Sequence, residues 1–289
     1  MSLNKPCALT IRASCRVIKI IFVIPKACQN PLLQICGPLA VFLNTILMIQ
    51  KTHGIVFKTI KFSETSVVSK IYTEKYGLQS YIINGVRAPK SKFKAGLLQS
   101  LSLLDMEVYH RENHNLNRVK EFRAAVVFSS LPFDLLKGSV GLFMIEILYK
   151  SIHEEEANEP LFHFIFEKIK ELDHLQKVPS DFLLQFLLEL SLHLGFHPHG
   201  TFSEAAPFFD LGEGTFIANG NGHPNTLDEL LSRQLSSFIN EASAEIPPAS
   251  RKLLMEALLK YYQLHVPNFS RPKSLRVLEE VFKNQEGLK

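Results

Sequence analysis

Cysteine is confined to the start of this chain: Cys7, Cys15, Cys28 and Cys36 all precede residue 37, and the 241 residues from Ile49 onward contain none. A disulfide framework, a thiol nucleophile and a cysteine-ligated zinc are therefore excluded from the body of the protein. Nucleotide fingerprints are missing as well. Gly212-Glu213-Gly214 and Gly220-Asn221-Gly222 lack the spacing and the following lysine of a phosphate-cradling loop, and they read as turns. There is no Gly-x-Ser-x-Gly elbow. His153 is followed by three glutamates but by no second histidine of a zinc helix, and His197, His199 and His223 stand without the carboxylates or cysteines that would complete a metal site. No paired carboxylates stand out for acid–base work. Hence a binding protein is expected rather than an enzyme, with no cofactor and no metal.

What is present is an ordinary globular balance of 289 residues, 46% apolar and 21% charged, which excludes disorder and a polytopic membrane protein. That length suits about two domains. The net charge of +4 is a sum of unlike parts: +5 over residues 1–48, which hold no acid, +7 over 49–130 and −8 over 131–289. A basic middle followed by an acidic end points to an anionic partner for the middle.

Three readings of the first segment compete. A signal peptide would keep its charges apart from its apolar core, whereas here they are interleaved. A membrane anchor needs roughly 20 apolar residues in a row, and residues 31–49 are interrupted by Gln34, Asn44 and two prolines. A reading frame opened too early, with Met48 as the true start, fits best, and residues 1–47 are expected to stand outside the fold.

From Gly54 the sequence breaks into five short β-rich runs, 55–62, 67–76, 78–87, 101–110 and 118–128. In the fourth, Leu104, Met106 and Val108 alternate with Asp105, Glu107 and Tyr109, the period-2 pattern of a half-buried strand. Five strands in so short a span, with no helix to cover a parallel sheet, predict a small antiparallel barrel, best matched by the OB-fold. Between the third and fourth runs, Arg87, Lys90, Lys92 and Lys94 place four cations and no acid within eight residues, with Phe93 among them. Cations spaced along a groove release counterions from a phosphate backbone, and an aromatic stacks on an unpaired base. The bland alternative is a solvated loop. Of the barrel aromatics, Phe57 and Phe62 are expected in the core, while Tyr72, Tyr76 and Tyr81 stay open between core filling and stacking; Tyr81 and Phe93 are the candidate stacking residues.

After residue 130 the period changes to three or four. Helices are expected over 131–152, 161–172 and 181–194, the last apolar all round and therefore central. Thr226 and Glu229 form a capping-box pattern ahead of a helix with Leu227, Leu230, Leu231, Leu235 and Phe238 on one face. Two more helices follow, one from Pro247-Pro248 with Leu254, Leu258 and Tyr261 inward, one from about Pro272 with Leu275, Leu278 and Phe282 inward. The expected fold class is α+β and multidomain: a five-stranded OB-fold β-barrel over 49–130 and an all-α C-terminal domain over 131–289.

Lys51-Thr52-His53-Gly54-Ile55-Val56, then Ser63-Glu64-Thr65-Ser66, Tyr76-Gly77-Leu78, Gly85-Val86-Arg87 with the basic loop, and the strand through Tyr109 resemble the RecO family of bacterial recombination mediators. Downstream, Leu194-Gly195-Phe196-His197-Pro198, Phe208-Phe209-Asp210 and Gly214-Thr215-Phe216 are similar to landmarks of that family's helical domain. The resemblance covers residue 49 to the C-terminus. It implies an OB-fold that binds single- and double-stranded DNA, annealing of complementary strands including those coated by single-stranded DNA-binding protein, and work with RecR and RecF in loading RecA. It also implies a cytoplasmic, nucleoid-associated protein of the RecF pathway, with no membrane partner. Carried over, DNA binding falls on Arg87 and then on Lys90, Lys92 and Lys94. Some relatives carry a four-cysteine zinc module after Leu-Gly-Phe; residues 197–219 have no cysteine, so zinc is not expected. The alternative is an OB-fold adaptor for RNA or a protein tail. The −8 charge of the helical domain is expected to keep DNA on the barrel, leaving its apolar grooves to a partner peptide.

Overall fold

The computed structural model describes residues 49–88, 94–110, 115–220, 224–240 and 246–286, and Ile49–Lys289 form one compact unit. Five strands, β1 (Ile49–Lys61), β2 (Val67–Thr73), β3 (Gly77–Ile83), β4 (Leu103–Tyr109) and β5 (Asn117–Ala124), close into a barrel in the order β1-β2-β3-β5-β4. All pairings are antiparallel except β3 with β5, where Tyr81 and Ile82 meet Asn117 and Arg118 in parallel. That parallel seam departs from the all-antiparallel barrel expected, because the chain leaves β3 and returns at β5 only after passing through β4.

Alternation builds the barrel interior. Leu104, Met106 and Val108 are buried while Asp105, Glu107 and Tyr109 are half-exposed, and they meet Val56, Ile71, Tyr81, Ile83 and Phe122 inside. Gly54 is required there: a Cβ would lie 2.6 Å from the Met106 sulfur and 2.7 Å from Ile71. A short 3₁₀ turn, Ala95–Leu98, closes one end by burying Leu98, whose carbonyl accepts from the Thr59 hydroxyl at 2.7 Å.

The outer side of the barrel, around the middle of β1, faces a second core. Ile55, Phe57, Tyr72 and Leu78 join a cluster that runs through the helices, with Phe57 stacked on Tyr72 and Tyr72 against Phe162. The barrel and helical regions thus share a continuous core.

Among the described residues six helices follow: α1 (Leu135–Ser151), α2 (Glu159–His174), α3 (Phe182–His193), α4 (Glu229–Asn240), α5 (Pro248–His265) and α6 (Ser274–Glu286). α1 starts four residues later than its apolar pattern suggests, because the Asp134 carboxylate accepts from the Lys137 amide and stops the helix there. α3 is the buried centre, as its pattern predicts. α4 is capped by Asp228, which accepts from the Leu231 amide at 2.8 Å. Thr226 instead bridges Asp210, so the expected capping box does not form. Leu230, placed on the inward stripe by its spacing, is exposed. Between α3 and α4 a hairpin of two short strands, β6 (Phe208–Asp210) and β7 (Thr215–Ile217), interrupts the helices; three-residue strands are too brief to show a period of two. Asp210 accepts from the amides of Gly212 and Glu213, which makes the glycine pair there a turn, as read.

The junction between barrel and helices is pinned by one buried carboxylate. Asp173, 3% exposed, accepts from the amides of Ser129, Ser130 and Leu131 at 2.9, 2.9 and 2.7 Å and from the Ser129 hydroxyl at 3.0 Å. Burial alone would raise its pKa, but the donated bonds outweigh it and hold the carboxyl far below the usual range.

Candidate nucleic-acid interface

The basic segment is anchored at its first described end. Val86 is buried in the barrel interior, the Arg87 amide donates to the Thr65 carbonyl at 3.1 Å, and Ser66 donates to Asn84 at 3.1 Å. Arg87 is exposed beside the β1–β2 turn, and Lys94 is exposed at the mouth of the 3₁₀ turn. Lys90, Lys92 and Phe93 lie outside the described residues, as does His223.

Tyr81 is a correction. It is 0% exposed with its ring inside the barrel, where burial pushes its hydroxyl well above the ordinary range. A base has no access to it. Tyr72 is also core, and Tyr76 is half-buried with its ring stacked on His110 at 3.7 Å. Phe57 is core as expected, whereas Phe62 reverses expectation: it is 61% exposed at the end of β1. His197, the first of the histidines weighed for metal, lies within 3.1 Å of the Leu188 carbonyl and 3.3 Å of the Ser191 hydroxyl. Among the described residues no group of three or more His, Cys, Asp or Glu is placed to hold a metal ion.

Cations on the barrel divide by face. On the β1–β4–β5 face they meet carboxylates: Lys51 and Lys120 pair with Glu107 at 3.6 and 2.8 Å, Arg123 pairs with Asp105 at 3.0 Å, and His53 lies between Glu74 and Asp105 at 2.8 and 3.1 Å. The hydrogen bond from Lys120 is the main reason the Glu107 carboxyl sits below its ordinary pKa. A phosphate reaching this face would have to displace those carboxylates.

On the β1–β2–β3 face the outcome is different. A bulge at Phe57 shifts the β1–β2 register between Val56 and Lys58, so that Lys58 follows the buried Phe57 onto the outer side. Register then sets Lys58 opposite Lys70, Ile60 opposite Val68, Val68 opposite Ile82, and Ile82 beside Arg118. Lys58, Lys70, Arg118 and Ile60 are exposed, Phe62 continues the outer row of β1, and Arg87 stands beyond the turn. Among the described residues none of Lys58, Lys70, Arg87 and Arg118 has a carboxylate within ion-pair distance, and the acid of the adjoining turn is the exposed Glu64. Unpaired cations interleaved with exposed apolar groups match what a single strand needs, on the strands with which OB-folds bind oligonucleotides. The sequence pattern does not mark Lys58, Lys70 or Arg118 as DNA-binding, and it favours the core over stacking for Phe62. Strict alternation along β1 would not have found Lys58, because the bulge breaks the period.

The N-terminal region model of recombination protein O matches residues 48–128, and the C-terminal one matches residues 132–276. The chain is 36% identical over 238 residues to the DNA repair protein RecO of Flavobacterium psychrophilum, covering 80% of this chain and 98% of that protein. It is 33% identical over 241 residues to that of Bacteroides fragilis and 35% identical over 240 residues to that of Phocaeicola vulgatus, covering 81% of this chain and 100% of each relative. Among the described residues no helix is long and apolar enough to cross a membrane.

Proposed function

The chain belongs to the RecO family of DNA repair proteins, and on that premise we propose that it is a non-enzymatic mediator of homologous recombination that binds single- and double-stranded DNA on its barrel. It anneals complementary strands, including strands coated by single-stranded DNA-binding protein, and acts with RecR and RecF to prepare DNA for RecA. Annealing makes and breaks no covalent bond, so the chemistry calls for no metal or cofactor.

The supporting observation is the division of charge: among the described residues the β1–β2–β3 face carries exposed cations without carboxylate partners, and Arg87 and Lys94 are exposed at the two described ends of the basic segment. Cations already paired, such as Lys120 and Arg123, contribute little to counterion release.

Annealing of complementary oligonucleotides and the salt dependence of single-strand binding test the proposal. The slope of log affinity against log salt is expected to become shallower by about 0.7 for each phosphate contact removed, and Arg87→Ala, Lys90→Ala, Lys92→Ala and Lys94→Ala together reduce it. Salt-independent binding, or affinity for RNA well above that for DNA at one salt concentration, contradicts it; the latter result favours an RNA-binding adaptor.

A further inference from the structure

Tyr149 is carried by α1, in the helical region, yet its ring lies under two barrel lysines: the Lys58 and Lys70 ammonium groups are each 5.6 Å from its centroid. The two lysines are register partners on adjacent strands, an arrangement in which like charges repel. Neither has an ion-pair partner among the described residues. Neighbouring Lys150 is already engaged, held by Glu146 at 3.1 Å and by the Ser270 and Arg271 carbonyls, so it does not compete for the same ligand. Tyr149 itself is partly buried, its other contacts packing on the helical core. Among the described residues this cation pair has no counter-charge, and cations astride an aromatic ring suit a flexible polyanion that also carries flat unpaired rings.

We propose that Lys58, Lys70 and Tyr149 form a single-nucleotide clamp at the junction of barrel and helices, the ammonium groups taking a backbone phosphate and the tyrosine ring stacking on the adjacent unpaired base. The inference rests on the DNA-binding reading above and extends it, since it makes the helical region part of the single-strand path. The phosphate draws the lysines off the ring and so uncovers it for the base. A base-paired strand keeps its bases inside the duplex and gains the phosphate contacts alone. The clamp therefore favours single strands over duplex.

Binding of a labelled thymidine homo-oligonucleotide and of a duplex of equal length is compared for Tyr149→Phe, which keeps the ring, and Tyr149→Leu, which keeps apolar bulk for packing. Tyr149→Phe is expected to keep more single-strand affinity than Tyr149→Leu, because the stacking ring remains. Tyr149→Leu is expected to lose roughly five- to a hundredfold in single-strand affinity and less than about twofold in duplex affinity. Should Tyr149→Leu fail to fold by circular dichroism, Tyr149→Trp decides the matter, because the chain has no tryptophan and the variant's only indole then reports stacking. Its fluorescence is expected to be quenched on saturation with the oligonucleotide and unchanged with the duplex. Full single-strand affinity in Tyr149→Leu, or no quenching while anisotropy shows the oligonucleotide bound, overturns the clamp and leaves the DNA-binding reading standing. Absence of binding by the unaltered chain overturns both.

Discussion

Replacing Asp173 by Asn keeps the shape of the side chain at the barrel–helix junction and removes its charge. In the native structure the carboxylate takes three consecutive backbone amides and a hydroxyl, while the buried Lys137 ammonium donates to the Asp173 carbonyl at 2.9 Å. In the variant one oxygen becomes an NH₂ group facing the Ser129 amide, so at least one donor is orphaned and the others lose charge assistance. At about 1–3 kcal/mol for an unsatisfied buried donor and about 1 kcal/mol for each weakened bond, the expected loss is roughly 3–5 kcal/mol. That is a large part of the ~5–15 kcal/mol typical of a folded domain. Urea unfolding followed by circular dichroism reads it: with a slope near 3 kcal/mol per molar, the midpoint falls by about 1–1.7 M. The pH dependence supplies a second arm. Because the folded-state pKa of Asp173 is depressed, its contribution is fully present above the unfolded value of about 3.9 and fades as pH falls toward the folded value. The gap between native and variant midpoints should accordingly narrow below about pH 4. A midpoint shift under about 0.3 M at pH 7, or a gap that widens on acidification, would refute the assignment of Asp173 as the pin of the junction.

Two further outcomes bear on the same architecture. Gly77, at φ +60°, would place a Cβ 2.4 Å from the Glu156 carbonyl oxygen and 2.7 Å from that of Glu154, where the Leu78 amide donates to Glu154 at 2.9 Å. Gly77→Ala is therefore expected to cost about 2–4 kcal/mol, measured as a lowered thermal midpoint; an unchanged midpoint would mean that the loop against the barrel yields freely. Lys70→Gln removes a like-charge pairing of about 0.2–1 kcal/mol and a cation–π contact of about 0.5–1 kcal/mol, terms of opposite sign, so stability should move by less than about 1 kcal/mol while the salt slope of single-strand binding becomes shallower by about 0.7. A large loss of stability with an unchanged slope would show Lys70 to be structural.

Much of the barrel is legible in the residues themselves. β4 declares itself by alternation, and α3 by apolar residues on every side. The failures have local physical causes. Asp134 truncates α1 by offering a better amide acceptor than another helical turn. Asp228, adjacent to the first helical residue, caps α4 in place of Thr226. Phe62 and Tyr81 exchange expected roles because the end of β1 runs past the barrel core, whereas Tyr81 sits at an inward register position beside Val56 and Ile71.

Segment composition by itself determined that the charge is uneven, basic over the barrel and acidic over the helices, and ordered motifs determined the resemblance to a family. Composition adds charges without regard to neighbours, and phosphate binding depends on which charges stay unpaired. That was decided by strand register, which brings Lys51 to Glu107 and Arg123 to Asp105 across the barrel, and by a one-residue bulge that turns Lys58 outward to face Lys70. Residues distant in the chain become neighbours only through these pairings. The position of Tyr149 beneath both lysines likewise exists only because the barrel and α1 are packed on a shared core.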